Sequence, residues 1–403
     1  MYIPKTVKEY LKKIGLKDNK TDLKKQFIKE FGAEGAELYS QYIKIEKENE
    51  NVDINKKYAS NQRKIVDFAN LNITLAMITE GYFDYDIHVN FLTWLYGEQE
   101  SFGKEIIDLG CGSGITSCFI ASILPESHVV AIDESENAIK VANAIKTKLG
   151  INNIDFIWQN VQKLVDKKYD TVLSTRFIHE TIGEILPAYS YLMPSQNIKI
   201  AAKMHHEIVC VISNLLKENG NIICIERYPD EYAHNMFYYG LLQEFNDNGF
   251  NLPDTLSYLD CREDTGITRF PAIVLQKGND RVNVLEMYEK TKETFISKIH
   301  KFEDDDNFYS LEGMEAKLIL EDVAGELVEG FHTEDALGTW CGMGALYKYK
   351  YKKNYYVAVQ QNKLKINVTK LIGKEKEEAI LHFKSQKRAD KQNGFSIVES
   401  IQF

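Results

Sequence analysis

The chain runs to 403 residues, 44% of them apolar and 11% aromatic, which is enough for two or three domains with cores of their own. Its net charge of −10 is uneven: nine lysines face four acids in residues 1–30 and thirteen bases face four acids in 346–391, so the remainder carries −24 and disfavours nucleic acid as a partner. No run of about eighteen apolar residues marks a membrane span, residues 2–8 lack a signal peptide's apolar core, and six scattered cysteines suit a reduced, cytoplasmic protein better than a disulfide framework or zinc site.

Residues 1–100 read as helical, with apolar positions at helix spacing over 2–14, 23–31 and, more strongly, 65–78. This region closes on an aromatic cluster, GYFDYDIH at 81–88 and a second group over 91–96. From 105 onward strands and helices alternate. An apolar strand over 105–109 leads through a glycine-rich turn to a helix, and a second strand over 128–133 ends in Asp133. Ser135 followed by Glu136 suits a helix start and Gly150 a helix stop. Strands follow at 155–158 and 169–174. A long helical region at 184–217, interrupted near Pro194, precedes a turn and a fifth strand ending at Glu226. After a helix at 230–248, the apolar stretches 256–261 and 269–276 are close enough to form an antiparallel hairpin. Beyond 279 the pattern changes to a helix at 282–302, a charged break at 303–307 and a lysine–tyrosine alternation over 347–356. Strand-like sequence then continues to 371, followed by a helix at 375–391 and a last strand at 395–401. Three regions result: helical 1–100, α/β 101–278 and a small α+β domain 279–403.

The most specific signal is EIIDLGCGSG at 105–114 with Asp133 nineteen residues beyond its last glycine. Glycines at 110, 112 and 114 let the backbone turn sharply and approach a ligand that a β-carbon would obstruct. An acid ending the second strand can accept the hydroxyls of a ribose. Dinucleotide enzymes share that logic. Here, however, Asp108 precedes the first glycine by two residues, and the third glycine follows the second by two rather than three. In these details residues 104–278 resemble class I S-adenosylmethionine-dependent methyltransferases. Five strand–helix units closing in a hairpin match that family's fold. The expected architecture is therefore α/β, a Rossmann-like seven-stranded methyltransferase sheet with an N-terminal helical subdomain or lid and a C-terminal α+β domain. The end of the chain loosely resembles the WGR module of nucleic-acid-end-binding proteins, but the Trp-Gly-Arg triplet is absent.

The resemblance implies S-adenosylmethionine as cofactor and S-adenosylhomocysteine as product. By it, the backbone at Gly110, Cys111 and Gly112 meets the methionine and ribose parts, while Asp108 orders the turn or contacts the methionine amino group. Asp133 holds the ribose. Asn160, with Val161 beside it, stands where a side-chain oxygen accepts from the adenine amino group; the alternative for Asn160 is a turn residue capping the next short helix. Glu134 occupies a cofactor-contacting position where many relatives have an apolar residue. Thr175 or Arg176 is expected in the cofactor pocket. His179 is a candidate proton acceptor oriented by a carboxylate, with Glu180 next to it; packing for His179 and a favourable helix start for Glu180 are the alternatives. Glu226, Arg227, His205, His206 and His234 are second-tier candidates. The adjacent pair His205 and His206 lacks metal-ligand spacing, so no catalytic metal is expected.

The loop after strand four lacks the Asn-Pro-Pro-Tyr clamp of base and amide N-methyltransferases, and the chain has neither a Pro-Cys nucleophile nor the glutamate pair of arginine methyltransferases. The resemblance thus implies transfer to an oxygen or nitrogen of a small molecule, in specialised metabolism. The alternative is a peptide or protein acceptor docked by the C-terminal domain along an exposed strand at 347–356. A membrane partner is not expected. The oligomeric state stays open, a homodimer included.

Overall fold

The computed structural model describes residues 2–18, 22–50, 64–164, 167–182, 194–228, 232–263, 266–278, 280–288, 290, 309–311, 324–334, 340–349, 355–362, 366–372, 377–381, 383–385 and 396–399. The predicted charged break at 303–307 and most of the helix predicted over 282–302 lie outside these residues. Two compact units emerge, one built from 1–185, 196–229 and 236–282, the other chiefly from 283–403.

The first unit opens with helices α1 (Lys5–Ile14), α2 (Leu23–Phe31), α3 (Ala33–Glu50), α4 (Ile73–Phe83) and α5 (Tyr85–Gly97). Asp22 caps α2 through the amide of Lys25, and Asn72 caps α4 through that of Leu75. The α/β part follows as β1 (Glu105–Leu109), α6 (Ile115–Ile123), β2 (His128–Asp133), α7 (Glu136–Leu149), β3 (Ile154–Trp158), β4 (Tyr169–Thr175), α8 (Ile178–Thr181), α9 (Pro194–Leu215), β5 (Leu216–Ile225) and α10 (Tyr232–Asp247). It ends in β6 (Phe250–Asn251), β7 (Ser257–Glu263) and β8 (Gly266–Lys277). As the sequence predicts, Ser135 caps α7, accepting from the amide of Ala138, and Gly150 ends that helix in the left-handed conformation.

The strands are ordered β3-β2-β1-β4-β5-β8, with β7 paired to β8 and the two-residue β6 on the end of β8. Strands β1 to β5 pair in parallel, while β8 runs antiparallel to β5 and to β7. This is the expected seven-stranded Rossmann-like sheet, plus the short β6. Because β1 lies between β2 and β4, the winding reverses there, and the carboxyl ends of these strands open a crevice. The core is fully buried aliphatic residues of β1, β2 and β5 with Phe119 of α6. Helix α1 packs into this core. Its Val7, Leu11 and Ile14 are buried there, the Tyr10 ring meets Phe119 edge-on at 5.1 Å, and its hydroxyl donates to the Ile115 carbonyl. A satellite cluster of Leu23, Phe27, Tyr42, Phe68, Leu75 and Ile78 holds α2, α3 and α4 together. Among the described residues, no helix is long and apolar enough to cross a membrane.

The second unit contains β9 (Tyr309–Leu311), β10 (Ala324–Glu334), β11 (Trp340–Tyr349), β12 (Tyr355–Asn362), β13 (Ile366–Ile372) and β14 (Ser396–Glu399). These form one antiparallel sheet in the order β14-β10-β11-β12-β13-β9. Phe331, Leu346 and Leu371 from three strands pack against Ala379 and Phe383 of the helical stretch near 380. One expectation is corrected here. The segment 347–356 is not a single exposed strand: β11 ends at Tyr349 and β12 begins at Tyr355, and Tyr347 pairs with Leu327 on one side and Val357 on the other. Both β11 and β12 are inner strands of this sheet; residues 350–354 of the alternation lie outside the described residues.

Candidate active site

The turn leaving β1 depends on backbone conformations that L side chains avoid. Gly110, Gly112 and Gly114 have φ of 70°, 52° and 75°. A β-carbon at Gly110 would come within 2.4 Å of the Phe177 ring, and one at Gly114 within 2.6 Å of Ala142. At Gly112 it would meet nothing within 4 Å, because that residue faces open space. The amide of Cys111 donates to the Ile132 carbonyl at 2.9 Å, pinning the turn to the end of β2.

Asp133 completes that pin. Its Oδ2 accepts from the Gly112 amide and its Oδ1 from the Ser135 amide, both at 2.8 Å. Burial raises its pKa in spite of these two amides. Each carboxylate oxygen still has a lone pair to offer. Asp108 is fully buried behind the turn, where its Oδ2 accepts from the Ser117 hydroxyl of α6 and its Oδ1 has no partner among the described residues. Burial pushes its carboxyl up to about 7, partly opposed by the Ser117 hydrogen bond. The Glu134 carbonyl accepts from the Trp158 indole at 2.8 Å. Asn160 takes the capping role: its Oδ1 accepts from the Gln162 amide at 2.8 Å, starting the turn Val161–Lys163. The Asn160 amide nitrogen and a second lone pair on that oxygen stay available for a ligand.

The loop after β4 is held by an acid from the neighbouring strand. Glu226, fully buried just past β5, accepts from the Ser174 hydroxyl at 2.8 Å, the Ile178 amide at 3.0 Å and the His179 amide at 3.2 Å. Its Oε2 also lies 2.8 Å from His179 Nδ1. Burial opposes its charge, but His179 and these amides hold its carboxyl below the ordinary range. The carboxylate that orients His179 is therefore Glu226, not the adjacent Glu180. Arg176 sits in the left-handed region at φ 60°, its amide donating to the Ile225 carbonyl and its guanidinium 2.6 Å from Asp84 between α4 and α5. Of the second-tier histidines, His205 is buried with Nδ1 on the Ala201 carbonyl and Nε2 on the Tyr228 hydroxyl, and burial lowers its pKa to about 4. His206 pairs with Glu244 at 2.7 Å. The His234 side chain lies outside the described residues.

One cavity of about 1330 Å³ gathers most of these groups. Its wall includes Gly110, Cys111, Gly112, Asp133, Glu134, Asn160, Val161, Thr175, Arg176 and Glu180, all expected from the sequence, together with Arg227 and His206. Asp108 and His179 do not line it. The opposite wall is formed by α3, α4 and α5 through Tyr42, Glu80, Phe83, Asp84, Ile87 and Phe91; the expected N-terminal lid covers its aromatic part, whereas Tyr42, Glu80 and Asp84 were not singled out from the sequence. Its only prior signal was the aromatic cluster near 81–96. The Ser135 hydroxyl donates to Asp67, and Asn137 donates to the Asp67 carbonyl, which ties the segment after α3 to the start of α7. The residues suit a nucleoside: a turn open at Gly112, a carboxylate with spare lone pairs and an amide side chain share one crevice.

Residues 100–265 match a family described as a methyltransferase domain. The release factor glutamine methyltransferase of Buchnera aphidicola is 26% identical over 186 residues, 46% of this chain and 60% of that protein. The ribosomal RNA small subunit methyltransferase G of Pelodictyon phaeoclathratiforme is 32% identical over 124 residues, 31% of this chain and 43% of that protein. The chain thus spans at most about three fifths of these relatives. The magnesium protoporphyrin IX methyltransferase structure from Synechocystis PCC 6803 aligns with a TM-score of 0.38 at 19% identity, covering 55% of this chain and 99% of that one.

Proposed function

We propose, starting from the fact that residues 100–265 are a methyltransferase domain of the class I, S-adenosylmethionine-dependent kind, that the chain transfers a methyl group from S-adenosylmethionine to an oxygen or nitrogen of a small-molecule acceptor. The observation that carries this reading is the shared cavity, which puts the glycine turn and Asp133 opposite a wall from the N-terminal helices. When bound, S-adenosylmethionine supplies a methyl carbon already activated by its sulfonium.

Asp133 accepts the ribose hydroxyls through its remaining lone pairs. Glu134, Asn160 and Val161 border the adenine. The backbone at Gly110, Cys111 and Gly112, with Thr175, lies along the rest of the donor, and Asp108 stiffens the turn from behind. Arg176 and Glu180 face the acceptor, and the N-terminal helices shield the reacting atoms from water. His179, engaged by Glu226 through its amide and Nδ1 and set back from the cavity wall, positions the loop after β4 rather than meeting the acceptor.

A peptide or protein acceptor is the second reading, favoured by the relatives named for a release-factor glutamine. Strand addition at 347–356 no longer supports it, since β11 and β12 are both inner strands. Calorimetry with S-adenosylhomocysteine, NAD and FAD tests the main reading; binding of a dinucleotide without S-adenosylhomocysteine removes it. Radiolabelled methyl transfer in a cell extract, fractionated by size, separates small from polypeptide acceptors.

A further inference from the structure

The cavity exceeds the ~300–1,000 Å³ that a single small-molecule ligand usually fills, so it has room for an acceptor beside the donor. Its charge is lopsided. Apart from Asp133 and Glu134 on the donor side, Glu46, Glu80, Asp84, Glu180 and Glu207 line it against Arg176 and Arg227. Three of these acids are already engaged: Glu46 by the Tyr42 hydroxyl, Glu80 by His88 at 2.8 Å, and Asp84 by Arg176. Arg227 also acts on the charge of Asp84.

Glu180 is in a different position. It belongs to the short helix α8, its side chain is exposed within the cavity, and no described residue donates to its carboxylate. Enclosure by the surrounding protein pushes its carboxyl up against the pull of His179 and Arg176. A carboxylate held this way gains from a cationic partner and repels an anionic one. Phe83, Ile87, Phe91, Met204 and Ile208 line the same cavity, and this apolar surface suits an aryl or alkyl body.

Resting on the methyltransferase reading, we infer that the acceptor is an amphipathic amine whose nitrogen is received by Glu180. Bound as an ammonium, it gives one proton to the Glu180 carboxylate. The freed lone pair forms the new N–C bond as the C–S bond breaks with its electron pair on sulfur. The product leaves as a methylammonium, and Glu180 returns its proton to solvent.

Three probes of matching shape test this on the full chain saturated with S-adenosylhomocysteine: 2-phenylethylamine, 2-phenylethanol and 3-phenylpropionate, each titrated by calorimetry. The amine is expected to bind at least about tenfold more tightly than the alcohol, and the carboxylate weakest. Glu180→Gln is expected to bring the amine down to the level of the alcohol while leaving S-adenosylhomocysteine affinity unchanged. Equal or tighter binding of the alcohol or the carboxylate, no binding of any probe, or an ammonium preference that survives Glu180→Gln overturns the inference. Failure of S-adenosylhomocysteine to bind removes the parent reading itself, whereas its binding without an ammonium preference removes only the amine.

Discussion

Two acids next to the glycine turn show how position changes the work of one side chain. Asp133 sits at the edge of the cavity and spends one lone pair of each oxygen on a backbone amide. Asp133→Ala should weaken S-adenosylhomocysteine binding by about 1–3 kcal/mol, since it removes acceptors from ligand and turn together. Calorimetry showing unchanged affinity contradicts the assignment. Asp108 is shut away from solvent, so its effect is on stability. It ionises near pH 4 in the unfolded chain but only near 7 when folded. The native state therefore holds an extra proton between those values. Its stability falls as pH rises through the window, by on the order of 4 kcal/mol for this group. Asp108→Asn should flatten that decline, which urea unfolding at pH 4.5 and 7.5 measures. An unchanged slope means the buried carboxyl is not its source.

At the scale of elements, the glycines of one turn are expected to fail differently. Gly110→Ala forces a methyl into the Phe177 ring and a left-handed φ on alanine, adding roughly 1–3 kcal/mol of overpacking to about 1–2 kcal/mol of backbone strain. Gly112→Ala pays only the strain, but its methyl enters the cavity. Thermal unfolding should show the greater loss for Gly110→Ala, and calorimetry the greater loss of cofactor affinity per unit of stability for Gly112→Ala; the reverse order places the donor elsewhere. The loop after β4 follows the same principle. Glu226 accepts from the Ser174 hydroxyl and the amides of Phe177, Ile178 and His179 besides the His179 ring. An acid directly after the apolar run ICI at 223–225 hinted at a site. Which loop it would hold depends on β4 lying beside β5, a neighbour relation no local pattern encodes.

At the scale of the whole molecule, every described residue that lines the cavity falls within the first compact unit. A chain ending at residue 282 should therefore keep S-adenosylhomocysteine affinity within about twofold, less than half of the ~1.4 kcal/mol that a tenfold change represents. Calorimetry on the truncated chain checks this, and a larger loss assigns the second unit a part in the cavity. Peptide affinity measured on the same two chains decides whether the antiparallel sheet of the second unit docks an acceptor.

The sequence determined the strand–turn–helix order, the seven-stranded sheet, the cap at Ser135, the stop at Gly150 and the glycine turn at 110–112 that lines the cavity with Asp133. Those features are local: periodicity, turn chemistry and glycine spacing act over a few residues. Tertiary structure decided the rest. It made Glu226 the partner of His179, turned Arg176 onto Asp84, closed the cavity with α3 to α5 and set Tyr347 and Lys348 on an inner strand paired with β12. Each of these depends on which distant segments become neighbours, and packing of the whole chain rather than any short stretch sets that.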